Sequence, residues 1–293
     1  MSVPGLIVTA DDFGLSLEVN EAVEEGHRKG VLTCASLMVT GPAAADAVAR
    51  AKRMPNLGVG LHLALLDAPA ASPIADIPDL VGDDGDLGSR PVATGAGIAL
   101  VPRVRAQARA EMRAQFELFA ATGLPLDHVD GHWHFHQHPG LLGLLIGEMA
   151  PAFGIRAVRV PNEPPLPSWR AAGRRGLGRR LITAVAHAPL WSSMRCRLRR
   201  AGIGANDWFF GLNDSGAVTR DVLLGAVANL PPGVSEIGLH PASAALVGAH
   251  APPARYRAVE ELQGLVDPDV VEACRAVRLG RFADLVFAGA ARA

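Results

Sequence analysis

Cysteine is scarce in this 293-residue chain: there are three, Cys34, Cys196 and Cys274, far apart and without CxxC spacing. An odd, scattered set excludes a disulfide framework and a zinc-thiolate cluster, and fits a reducing compartment such as the cytoplasm. Net charge is nearly absent too, at −1, so nothing draws the chain as a whole toward nucleic acid or an anionic membrane. No run approaches the roughly 20 apolar residues of a spanning helix. The opening MSVPGLIV has no basic flank and too short an apolar stretch for a signal peptide, which again points to the cytoplasm. A Gly-rich phosphate loop is also missing. The one candidate, Gly-Leu-Gly at 176–178, lacks a preceding strand, which argues against an open nucleotide-binding sheet.

What is present is apolar and alternating. Hydrophobic residues make up 49% of the chain, enough for one large α/β core. Residues 6–9 read as a buried strand, 17–29 as a helix capped by Ser16 with Glu18 in its first turn, and 31–40 as a second strand. A helix over 42–54 and a strand over 57–66 follow. Later come helices at 103–122 and 140–153 and strands at 126–133, 155–160, 207–211 and 235–239. About seven strands alternating with helices predict a distorted (β/α) barrel. We expect a single domain over 1–293, with rim excursions at 67–102 and 161–206 that pattern alone does not fold.

Four motifs carry chemistry. Thr9-Ala-Asp-Asp-Phe-Gly-Leu-Ser16 puts Asp11 and Asp12 just after the first strand, on the face of a barrel that holds active sites. Two adjacent carboxylates call for a cation or a shared proton; the plainer reading is a helix cap, a role Ser16 already fills. His62, in Gly-Leu-His at the end of the third strand, is either a core histidine or a ligand on the same rim. In Asp127-His-Val-Asp-Gly-His-Trp-His-Phe-His-Gln-His138, five of the ten histidines fall within twelve residues. On a continued strand His128, Asp130, His132, His134, His136 and His138 would share one face, an imidazole–carboxylate set suited to zinc or a similar divalent ion. The fourth, Leu239-His240-Pro241, is a capping histidine or a general acid.

In this order the four motifs resemble the YdjC-like carbohydrate deacetylases, over nearly the whole chain. That resemblance implies one divalent metal ion, Zn or Mg, held by Asp12, His62 and His132, with Asp11 as catalytic base. His240 would be the acid for the departing amine, and His134, His136, Asp130 and Arg159 candidates for contacting the sugar. The activity implied is a metal-dependent N-deacetylase, hydrolysing the linear amide of an N-acetylglucosamine moiety. The stretches 31–48, 121–129 and 156–164 are similar to the branch associated with hopanoid biosynthesis, whose implied substrate is a lipid-linked N-acetylglucosamine. Where that branch is expected to carry Asn-Ala-His, this chain has Asp130-Gly-His132, an extra carboxylate bearing on metal preference. A soluble chito-oligosaccharide deacetylase and a non-catalytic metal-dependent sugar-binding protein are the alternatives. Phosphoester hydrolysis would call for more carboxylates or a second metal.

The neutral average hides a basic segment. Residues 168–200 hold nine arginines and no Asp or Glu, leaving the rest of the chain at −10. Trp169, Leu177, Leu181, Ile182, Val185, Leu190 and Trp191 interleave with them. This reads either as an interfacial helix giving peripheral contact with the inner membrane or as a surface helix with solvated arginines. No nucleic-acid-binding module accompanies it.

Overall fold

β1 (Gly5–Phe13) is buried at all nine positions. A strand with no exposed face belongs to a parallel sheet covered on both sides, and the neighbouring sequence alternates accordingly. The helix Leu17–Lys29 opens on Ser16, whose hydroxyl accepts from the Val19 amide at 3.3 Å, and leads to β2 (Cys34–Leu37). The helix Ala44–Ala51 precedes β3 (Gly58–Leu63), and Pro102–Ala121 precedes β4 (Val129–Gly131). β5 (Trp208–Phe210), β6 (Val234–Leu239) and β7 (Arg278–Leu279) complete the strands of the computed structural model, which describes residues 3–246 and 253–287.

All pairings between these strands are parallel, in the order β4-β3-β2-β1-β6-β5, with β7 joined to the start of β1. The sheet curls, and residues 157–162 span the gap between β4 and β5. Arg159 N donates to Val129 O on one side, and Phe209 N to Asn162 O on the other. The expected barrel is therefore present in distorted form, but the strand expected over 155–160 is reduced to isolated bridges. A side chain explains this: Asn206 accepts from Val160 N at 2.8 Å and donates to Val160 O at 2.9 Å, taking the place of a ladder partner.

Along β1 the two faces divide the interior. Leu6, Val8 and Ala10 join the main core with Val19 and Val23 of the first helix. Ile7 faces the inside of the barrel with Cys34, Ala157 and Phe282, an apolar plug at its base. Thr9, next on that inner face, donates to Glu236 at 2.8 Å, so the barrel interior becomes polar one layer up.

The 67–102 excursion is held by side chains rather than by a ladder. It contains a short turn of helix at Ile74–Asp76, a bridge between Val81 and Leu87, and the helix Pro91–Leu100. The buried Glu111 carboxylate accepts from the amides of Ala71 and Ser72, and Gln107 from that of Asp79. The 161–206 excursion forms helices at Pro165–Ala171 and Leu177–Arg200. No helix among the described residues is long and apolar enough to cross a membrane.

Candidate active site

A bulge ends β1. Its register against β2 shifts between Ala10 and Phe13, and Asp12 sits at φ 62°, in the left-handed region that non-glycine residues rarely adopt. Successive residues of a regular strand point to opposite faces. The bulge sets that rule aside, and both Asp11 and Asp12 line one cavity of about 1110 Å³.

β3 and β4 bring the next pieces. His62 is paired in register with Asp130, and His62 Nδ1 donates to Asp130 Oδ1 at 2.8 Å. That bond leaves Nε2 facing the cavity, 3.3 Å from Asp12 Oδ1. His132 follows at the end of β4, its Nδ1 3.0 Å from the same oxygen. One ligand atom from each of Asp12, His62 and His132 lies within 4.8 Å of the others. Burial works to raise the Asp12 carboxyl, but the imidazoles of His132 and His62 outweigh it and hold it well below the usual carboxylate range. For His62, burial opposes charge, yet Asp130 and Asp12 raise it well above an ordinary histidine.

The histidine-rich run does not continue as a strand. β4 stops at Gly131, and residues 132–137 form a tight helical turn in which Trp133 and His134 are left-handed, at φ 55° and 51°. The expectation that six alternating residues share one face therefore fails. Only His132 and His134 of that set line the cavity. His128 is buried under Phe282, and His138 stacks on Phe135 away from the site. His136 is buried, its Nε2–H donating to Arg159 O at 2.9 Å. Burial lowers His134 well below the ordinary value and His136 to about 4, so both are neutral imidazoles near pH 7.

Arg159 lies beneath the cavity floor rather than on its surface, fully buried. It donates to both oxygens of Asp11, at 2.7 and 2.8 Å, and to Glu236 Oε1 at 2.8 Å, with Asp130 Oδ2 also 2.7 Å away. Asp130 is likewise fully buried, between His62, Ser36 and Arg159. Asp130, Arg159 and His136, expected as sugar contacts, thus sit behind the site, while His134 remains at the cavity wall beside Phe209. Asp11, His62 and Asp130 also offer ligand atoms within 4.8 Å, but Arg159, Ser36 and His62 Nδ1 already engage both carboxylates. Asp12, His62 and His132 are the set that fits a divalent ion, two imidazoles and a carboxylate at the edge of an open cavity.

β6 delivers His240 to the same cavity. Its backbone N–H donates to Glu261 Oε2 at 2.5 Å, its ring lies 5.2 Å from Tyr256, and its buried Nδ1 has no partner among the described residues.

Residues 5–276 match the family model of the YdjC-like proteins. The chain belongs to the YdjC-like family. This YdjC-like chain is 39% identical over 164 residues to a carbohydrate deacetylase of Geobacillus stearothermophilus, covering 55% of the chain and 63% of that relative. It is 31% identical over 251 residues to a carbohydrate deacetylase of Mus musculus, covering 80% and 77%. To a chitooligosaccharide deacetylase of Serratia marcescens it is 35% identical over 142 residues, covering 48% and 53%. The chain thus spans about half to 63% of the length of these bacterial relatives. A solved structure from Enterococcus faecalis, titled a cellobiose-phosphate cleavage protein, shares the fold at a TM-score of 0.69, with 22% identity and coverage of 97% and 100%.

Other cavity residues of the YdjC-like chain escaped the motif reading. Trp133, Phe209 and Tyr256 give it aromatic surface, and Asp67, Arg90 and Arg255 give it charge. Trp133 had a signal, its place inside the histidine run. Phe209 and Tyr256 lie in segments without any motif.

Proposed function

We propose that this YdjC-like protein is a metal-dependent N-deacetylase acting on an N-acetylglucosamine moiety. The observation that carries the reading is the convergence of Asp12, His62 and His132 beside Asp11 on one cavity floor. The names of its relatives support an amino-sugar substrate. Asp12, His62 and His132 would hold the ion, zinc or magnesium. When bound, such an ion supplies Lewis-acid polarisation of the acetyl carbonyl and makes water more acidic.

The chain's own groups do the rest. Asp11, oriented by Arg159, takes the proton of the attacking water as the new C–O bond forms. The bidentate grip engages one lone pair on each carboxylate oxygen and leaves a second for that proton. His240, at the same cavity, gives a proton to the nitrogen as the C–N bond breaks, releasing acetate and a free amine. His134, neutral and beside Phe209, is placed to hydrogen-bond the sugar, and Trp133, 60% exposed, offers it an apolar face.

In its finer form the reading names a lipid-linked sugar, an N-acetylglucosaminyl hopanoid that is deacetylated to the glucosaminyl lipid, met at the surface of the inner membrane. The support is on the helix Leu177–Arg200, where Ile182 and Val185 are 71% and 74% exposed and the exposed Arg179 lies one turn before Ile182. Two residues do not belong to that face: Trp191 is buried, and Arg180 is buried against Glu163 and Asp214. The chitooligosaccharide deacetylase relative favours a second reading, a soluble oligosaccharide as substrate. Acetate release from the metal-loaded protein, with the lipid-linked sugar in detergent and chitobiose in parallel, separates the two. Asp11→Asn is expected to keep metal and sugar binding while losing turnover. Absence of turnover on both substrates with metal bound would leave sugar binding as the function.

A further inference from the structure

Below the cavity floor, four side chains unused by the proposed chemistry continue as a hydrogen-bonded line into the barrel. Ser36 Oγ donates to Asp130 Oδ2 at 2.7 Å. The same hydroxyl lies 3.1 Å from His128 Nε2, and His128 Nδ1 lies 3.1 Å from Asp127 Oδ2. The Cys34 thiol donates to that carboxylate at 3.6 Å, and the Ala283 amide at 3.1 Å. All are buried. β3 makes the room: a Cβ on Gly58 would stand 2.9 Å from the Asp127 carboxylate and from Cys34 Sγ, and one on Gly60 2.5 Å from the His128 ring.

Counting protons along the line assigns the donors. Asp130 is paired with Arg159 at 2.7 Å, so it accepts only. Ser36 has one proton and gives it to Asp130, leaving its oxygen to accept from His128 Nε2–H. Asp127 already accepts from a thiol and an amide, and it accepts again from His128 Nδ1–H. An imidazole donating from both nitrogens is an imidazolium.

We propose that His128 is a protonated positioning residue which, through Ser36, fixes Asp130 as the acceptor for His62 Nδ1–H and so presents His62 Nε2 unprotonated to the ion. The proposal rests on the metal reading of Asp12, His62 and His132. Partners behind a ligating imidazole fix its tautomer and raise its basicity; here the arrangement extends two residues deeper. Its surroundings favour the cation. Burial opposes charge on His128, but Asp127, with Asp130 and Glu236 behind it, raises it above the ordinary value, while Phe282 stacks on the ring at 4.5 Å. Cys34, Asp127 and His128 also bring ligand atoms within 4.8 Å. Burial and the Asp127 charge push the Cys34 thiol well up, so in the metal-free protein the thiol keeps the proton that it donates to Asp127, and the zinc-loaded spectrum distinguishes a proton on His128 from a second ion there.

Two measurements test this. Histidine-selective 15N–1H spectra near neutral pH, assigned with His128→Gln, should show both His128 nitrogens protonated in metal-free and zinc-loaded protein. A neutral tautomer, or loss of the Nδ1 proton with a second zinc bound, overturns it. Titration with zinc against a chelator should show Ser36→Ala binding about tenfold more weakly than the parent, with the fold checked by thermal unfolding; folded Ser36→Ala of unchanged affinity also overturns it. If the parent binds no zinc, the metal reading fails, and the metal-free spectrum separately decides the state of His128.

Discussion

Arg159 holds both carboxylate oxygens of Asp11, Nη1 on Oδ2 at 2.7 Å and Nη2 on Oδ1 at 2.8 Å, from a position with no exposed surface. The adjacent Asp12 instead meets two imidazoles at the cavity edge. Neighbours in sequence are thus given different tasks by what lies behind them: a guanidinium fixes one carboxylate, and histidines turn the other into a candidate ligand.

Arg159→Lys should separate these tasks. A lysine keeps the charge but cannot reproduce a planar fork among Asp11, Asp130 and Glu236. We expect kcat to fall on the order of 100-fold with KM little changed, the signature of a misplaced base. Arg159→Met removes the buried cation and should destabilise the fold by about 3–5 kcal/mol. Steady-state kinetics and urea unfolding check the pair; equal activity of Arg159→Lys and the parent would refute the role.

Gly60→Ala tests the polar interior. An added methyl would stand 2.5 Å from the His128 ring, itself buried against Phe282, so the ring must move. Overpacking of this kind costs about 1–3 kcal/mol, and metal affinity should fall as well because His128 is displaced. Calorimetry and zinc titration report the two effects.

The parts of this molecule that were legible in its sequence are those with local causes. Ser16 caps its helix because its hydroxyl reaches Val19 N, and the strand–helix alternation through residue 63 follows hydrophobic period. Asp11, Asp12, His62, His132 and His240 reach one cavity as their places at strand ends suggested. Period two predicts a shared face for the histidine run, but it holds only while a strand continues, and two left-handed residues end it. Arg159, expected as a contact for the sugar, is instead a buried support, a role hidden from the sequence because its partners lie 148, 29 and 77 residues away. The 67–102 excursion hid its fold for a similar reason, since Glu111 and Gln107 of a later helix satisfy its backbone.

Acid stability should carry the mark of His136. Its folded value of about 4 lies below the ordinary 6.5, so across that window the unfolded chain binds more protons and stability rises with pH. The stability is present above about 6.5 and is lost as pH falls toward 4, by roughly 3 kcal/mol for this one group. His134 acts in the same direction. In His136→Gln, which keeps an N–H for Arg159 O, urea midpoints between pH 4 and 6.5 should fall less steeply than in the parent. Parallel profiles would show that His136 does not titrate on unfolding in this range.

The lipid reading has its own variant. Ile182 and Val185 are 71% and 74% exposed one turn apart on a helix that also bears Arg179, and none of the three lines the cavity. Ile182→Glu with Val185→Glu removes apolar area and adds two negative charges on a face that would meet anionic lipid. Each charge near such a surface is worth about 1 kcal/mol, so partitioning onto vesicles rich in phosphatidylglycerol should drop by at least tenfold, while chitobiose turnover stays at the parent level. A loss of both would mean the helix supports the fold rather than an interface. Unchanged partitioning would move the chain toward a soluble oligosaccharide, because the exposed apolar pair would then have no membrane to meet.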